Sequence, residues 1–158
     1  MIYWAEKYGP IALAFATAGA LLYFSEEMVG LAADKSINVS ALYSAIFNWA
    51  SIQTGFLFGV FGFVSGKSSG FLAEINRTQA MQTFNIYTRN ATLLGFLVAL
   101  TCIPLVVTDF DISAKSAAHY YVFVGWSFVT VWSFLAFARV AYVFGVILQV
   151  RDKTKILG

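Results

Sequence analysis

The chain has 158 residues, of which 59% are hydrophobic and only 11% charged, with a formal net charge of +2. Soluble domains carry roughly a quarter charged residues and could not hide this much apolar surface, so the class is a polytopic, all-α integral membrane protein. The mild charge argues against a nucleic-acid binder, and the single cysteine, Cys102, allows no internal disulfide and reads as core packing in its apolar run.

Four apolar segments follow one another, at about 10–25, 39–64, 90–107 and 118–139. The first starts at Pro10, a residue suited to a helix start because its missing N–H is unpaired there anyway, and stops at Ser25-Glu26-Glu27. Met1–Ala20 superficially resembles a secretory leader. Its head, however, offsets one lysine with one glutamate, and cleavage would bare Leu21-Leu22-Tyr23-Phe24, so a retained helix is expected.

The second segment carries a stripe of small or polar residues. Ser40, Ser44, Asn48, Ser51, Gly55, Gly59, Gly62 and Gly66 recur every three or four positions and so share one helical face. Such a groove in an apolar helix expects a second helix packed closely into it. Ala12, Ala16, Gly19 and Ala20 make the first segment the natural partner within the chain, and a homo-oligomer the natural partner outside it. Asn48, Gln53 and Thr54, with Ser51, bring polar groups to the middle of the same span. They predict interhelical hydrogen bonds or, alternatively, the lining of a pore, because unpaired amides in hydrocarbon are costly. Gln53 points about 200° away from Ser51, so protein is expected on more than one side of this helix.

The third segment is bracketed by Arg89 and Asp109, with Pro104 as a potential kink. The fourth stays apolar from Ala117 to Val150, broken only by Arg139. About 20 residues suffice to cross roughly 30 Å of hydrocarbon, which puts Arg139 at the inner boundary, level with Arg89. There it snorkels to lipid phosphates; a span ending at Arg151 would instead make it intramembrane and a functional marker. Residues 140–155 then form an apolar extension beyond the bilayer that needs a packing partner, and residues 70–89 are the candidate.

Orientation follows from the basic residues. With the N-terminus inside, the inner segments hold Lys7, Lys67, Arg77, Arg89, Arg139, Arg151, Lys153 and Lys155, and the outer loops only Lys35 and Lys115. Both termini are therefore expected to be cytoplasmic, in a single four-helix transmembrane domain whose third and fourth helices extend into the cytoplasm, in a bacterial inner (plasma) membrane. His119 with the outer carboxylates is a weak metal pattern, since no His or Cys partner stands at ligand spacing. Asn38-Val-Ser40 matches the glycosylation triplet but lies too close to the membrane to be modified.

No haem-type histidine pair, Cys-x-x-Cys, phosphate loop or nucleophile–base set is present, so neither catalysis nor a cofactor is expected. The resulting expectation is a small membrane subunit, bound by the lipid bilayer and by copies of itself, that acts as sensor, anchor or scaffold for a cytoplasmic protein. Arg77, Arg89, Arg139, Arg151, Lys153 and Lys155 would contact that partner or lipid headgroups. The alternative is an oligomeric channel or membrane-permeabilising effector.

Overall fold

Runs of apolar residues long enough to coil past 18 positions leave the backbone one way to satisfy its own N–H and C=O groups in lipid, the helix. The computed structural model describes residues 2–65, 79–112 and 117–155, with side chains for 8–63, 81–112 and 118–146. Over these residues the chain is helical: α1 (Ile2–Tyr23), α2 (Ser25–Ala33), α3 (Val39–Ser65), α4 (Gln79–Val107) and α5 (Ala117–Lys155). Val39–Phe63, Met81–Val107 and Ala118–Val146 are each long and apolar enough to cross a membrane. A fourth crossing is formed if Tyr8–Tyr23 and Ser25–Ala33, bent by 69° at their junction, act as one span.

Two helix boundaries differ from those expected. α1 begins at Ile2, with Pro10 inside it rather than at its start. The proline removes one backbone hydrogen bond near the helix N-terminus, too little to stop a run this apolar. α1 ends at Tyr23, where the first apolar segment is expected to stop, but Ser25-Glu26-Glu27 then opens a further helix, α2, with both glutamates in its first turn, where carboxylates favour a helix start. The other ends have local causes. Asn38 Oδ1 accepts a hydrogen bond from the Ala41 N–H at 2.9 Å and caps α3. The asparagine of the glycosylation triplet is thus engaged as a helix cap. Lys35 and Asp109 take left-handed conformations, φ 55° and 48°, just past the ends of α2 and α4. The Lys35 and Ser36 N–H groups return to Ala32 and Leu31, and those of Asp109 and Phe110 to Val106 and Leu105, closing a Schellman motif at each end.

Side-chain pairings give the topology. Tyr43 meets Trp126, Trp49 meets Phe134, and Phe63 meets Phe144, so α3 and α5 run parallel. Tyr43 and Ala50 gather with Val98 and Cys102, and Leu57 and Val60 with Met81 and Phe84, so α4 is antiparallel to α3. α1 is antiparallel to α5, with Phe15 on Phe128 and the Tyr120 hydroxyl donating to the Leu21 carbonyl. α3 packs on α4, α4 on α5, and α5 on α1. The α3–α4 contact is close because small residues line it, whereas large rings from both helices hold α3 and α5 apart.

The apolar interior falls into two clusters. One, nearer the Lys35 and Asp109 turns, contains Tyr43, Ala50, Val98, Cys102, Phe123 and Trp126. The other gathers Leu57, Val60, Met81, Phe84, Ala136 and Val140. In the second, Val140, Val143 and Phe144 of α5 pack with Met81, Phe84 and Tyr87 of α4. One face of the run beyond Arg139, at Val140, Val143 and Phe144, is therefore covered by the first turns of α4 and by Leu57 and Val60 of α3, while Tyr142 and Val146 are exposed and the side chains of 147–155 lie outside the described residues. Residues 70–78, expected to supply part of that cover, lie outside the described residues.

Candidate functional site

Between the two clusters lies a polar layer, built from the face of each helix that points inward. α3 contributes Gln53 and Thr54, α4 contributes Thr88, and α5 contributes Ser127, Thr130 and Ser133, all buried. Gln53 is only 1% exposed. Its amide nitrogen donates to Ser133 Oγ at 3.1 Å and lies 3.5 Å from the carbonyl oxygens of Ala91 and Ser133. One side chain thereby ties α3 to both α4 and α5. Gln53 Oε1, Thr130 Oγ1 and Tyr43 Oη are buried and accept or donate no hydrogen bond among the described residues. The layer consists of neutral amides and hydroxyls, groups that fix helix register but carry no charge across the interior.

Gly95 makes this layer possible. A Cβ placed there would stand 2.6 Å from Thr54 Oγ1 and 3.4 Å from Gln53 Nε2. Thr54 itself donates to the carbonyl of Ala50 at 2.8 Å. The other hydroxyls behave alike: Ser44 donates to Ser40, Ser51 to Phe47, Thr88 to Phe84 and Thr92 to Thr88, each one turn back along its own helix. Serine and threonine in apolar surroundings satisfy themselves locally in this way. Of the four residues expected to bond between helices, Gln53 alone does so within the described residues.

The small-residue stripe lies elsewhere. Ser44 is half-buried, while Asn48, Ser51, Gly55, Gly59 and Gly62 are exposed on the outer surface of α3. A Cβ at Gly55, Gly59 or Gly62 would meet nothing within 4 Å. The seam with the first helix is not formed among the described residues, because α1 is held by α5 and α3 turns the face with Ala50, Gln53, Thr54 and Leu57 toward α4. Gly66 lies outside the described residues. Asn48, Gln53 and Thr54, considered together as pore lining, are split: the latter two are interior, and Asn48 is exterior beside Ile103 and Val107 of α4.

Arg139 stacks its guanidinium over the Tyr87 ring, 3.6 Å from the centroid, linking the lower part of α5 to α4. Its position follows from length: it is 21 residues along α5 from Ala118, a rise of about 31 Å. Arg89 is exposed on α4 two residues from that ring. Arg77 lies outside the described residues; Arg151, Lys153 and Lys155 belong to the last turns of α5. At the opposite end His119 stacks on Phe110 at 4.9 Å, and among the described residues no three His, Cys, Asp or Glu side chains gather as a metal site.

Sequence reasoning missed Gly95, Ser133 and Tyr87. Ala91, Gly95 and Ala99 recur at four-residue steps and were a legible signal for the first; nothing in the order of residues pairs Ser133 with Gln53 or Tyr87 with Arg139. Compared with family models, with curated proteins and with solved structures, the chain matches none.

Proposed function

We propose that this chain is a small polytopic membrane subunit that works by assembly: it forms homo-oligomers through the α3 stripe and presents the lower ends of α4 and α5 to a cytoplasmic protein as sensor, anchor or scaffold. In this reading it crosses a bacterial inner membrane four times with both termini cytoplasmic, and it needs neither cofactor nor catalytic residues. One observation carries the proposal. Gly55, Gly59 and Gly62, flanked by Asn48 and Ser51, form an open track on the outside of α3, and no part of the described chain fills it. Close helix approach across such a track gains packing and hydrogen bonds that lipid tails cannot supply. The basic residues Arg151, Lys153 and Lys155 at the end of α5 suit an acidic partner surface.

Disulfide trapping in membranes tests the assembly. Ser51→Cys in a Cys102→Ala background is expected to crosslink to a second copy, and adding Gly59→Ile to abolish the crosslink while the melting temperature in detergent is kept. A chain that stays monomeric at every protein-to-lipid ratio would sink the proposal. The second reading, an oligomeric channel, draws on Asn48 and Ser51 sharing that exposed track, so that assembly brings polar groups from several copies together. Planar-bilayer recordings separate the two: conductance that changes with Asn48→Leu favours the channel, and silent bilayers favour the scaffold.

A further inference from the structure

A groove of about 390 Å³ runs along the outer junction of α3 and α4. Its walls are Phe58 and Phe61 from α3 and Leu93 and Phe96 from α4, and its lower end carries Asn85 and Arg89. The Phe58 and Phe96 rings meet edge to face at 5.7 Å and form its floor. Leu93 is 61% exposed, so the groove opens outward to where acyl chains lie.

The two ends of the groove differ in chemistry in the sense that a phospholipid does. Arg89 stands 18 residues from Val107, about 27 Å along the helix, which places it at the far edge of a hydrocarbon core whose near edge is the Thr108–Asp109 turn. From Arg89 to Phe96 the apolar wall rises about 10 Å into the core. Charge points the same way. The described acidic side chains, Glu26, Glu27, Asp34, Asp109 and Asp111, all belong to the opposite end of the bundle, and Arg89 forms no ion pair among the described residues. Beside it Asn85 lines the lower end of the groove with its Oδ1 turned away and buried. An arginine alone would reach any headgroup. An exposed arginine below an aromatic groove, with the described carboxylates all at the other end of the bundle, favours a headgroup of net negative charge.

We propose that this groove is a binding site for one anionic phospholipid, its phosphate on Arg89 and an acyl chain against Phe58, Leu93 and Phe96. The site belongs to the leaflet at the Arg89 end and is independent of whether the chain oligomerises.

Native mass spectrometry of the full chain in detergent tests it, with phosphatidylglycerol, phosphatidylcholine and inorganic phosphate as probes. Phosphatidylglycerol is expected to bind one per chain, about tenfold tighter than phosphatidylcholine, with Arg89→Ala removing that preference. Leu93→Trp, which fills the groove from an exposed position, is expected to weaken phosphatidylglycerol binding by a similar factor, whereas Arg139→Ala leaves it within about threefold. Melting curves by circular dichroism confirm that each variant is folded. Equal binding of the two lipids, retention by folded Arg89→Ala or Leu93→Trp, or an equal loss with Arg139→Ala would each overturn the proposal. So would displacement by millimolar inorganic phosphate, which would make the site one for a free anion.

Discussion

At the scale of single residues, Gly95 and Gly55 show how one residue type does opposite work in neighbouring helices. A methyl at Gly95 has no room, with Thr54 Oγ1 at 2.6 Å and held by its bond to Ala50, whereas a methyl at Gly55 meets open space. Gly95→Ala should therefore destabilise the folded chain by about 1–3 kcal/mol through overpacking. Gly55→Ala should raise monomer stability by about 0.5–1 kcal/mol, because alanine loses less freedom in a helix. Thermal or denaturant unfolding in detergent under monomeric conditions checks both signs, and equal effects would contradict the packing. That Gln53 meets protein was legible from its amide, which is costly in hydrocarbon, on the side opposite the stripe. Its partner was not, because Ser133 is 80 residues away and serine alone gives no sign that its hydroxyl serves a second helix.

Among the helices, α5 is the element on which the others depend. It is one unbroken helix of 39 residues, about 58 Å, long enough to touch α1 near its start, α3 along its rings and α4 through Arg139. The Arg139–Tyr87 stack joins the lower parts of the two helices. Removing the ring with Tyr87→Leu should cost about 0.5–2 kcal/mol, and Tyr87→Phe should retain most of that, since the face of the ring and not its hydroxyl attracts the cation. Unfolding measurements on the two variants decide this; an equal loss in both would assign the effect to the hydroxyl. α1 shows the reverse dependence. It breaks after Tyr23, and the Leu21 carbonyl in its last turn is taken up by Tyr120 of α5. The sequence marked this place only as the end of a span, because Ser25-Glu26-Glu27 serves equally well to end one helix or to start the next.

For the whole molecule, the parallel run of α3 with α5 and the antiparallel run of α1 and α4 put the Lys35 and Asp109 turns together at one end. If the bent α1–α2 pair crosses the membrane as one span, Ile2 and Lys153 emerge on the same side and Lys35 on the other. Single-cysteine variants at these three positions, in a Cys102→Ala background, are expected to show that pattern with a membrane-impermeant maleimide. Ile2→Cys labelled from the side of Lys35→Cys would reduce the count to three spans. In the proposed orientation, the side of Ile2 and Lys153 is the cytoplasmic one.

The sequence by itself determined the all-helical class and the three long apolar helices. Hydropathy over segments of 18 residues or more leaves the backbone no other way to bond in lipid, and that property is local. The 3.6-residue period likewise separated the two faces of α3. Only the tertiary structure decided which face turns inward. Small residues mark a place where two helices come close, but they do not say whether the second helix belongs to the same chain. That choice rests on competition: α4 offers Ala91, Gly95 and Ala99 to the face of α3 that carries Ala50, Gln53, Thr54 and Leu57, and α5 engages α1. Once those contacts are made, the stripe of Ser44, Ser51, Gly55, Gly59 and Gly62 is left on the outside, and the glycine that mattered inside the bundle was Gly95.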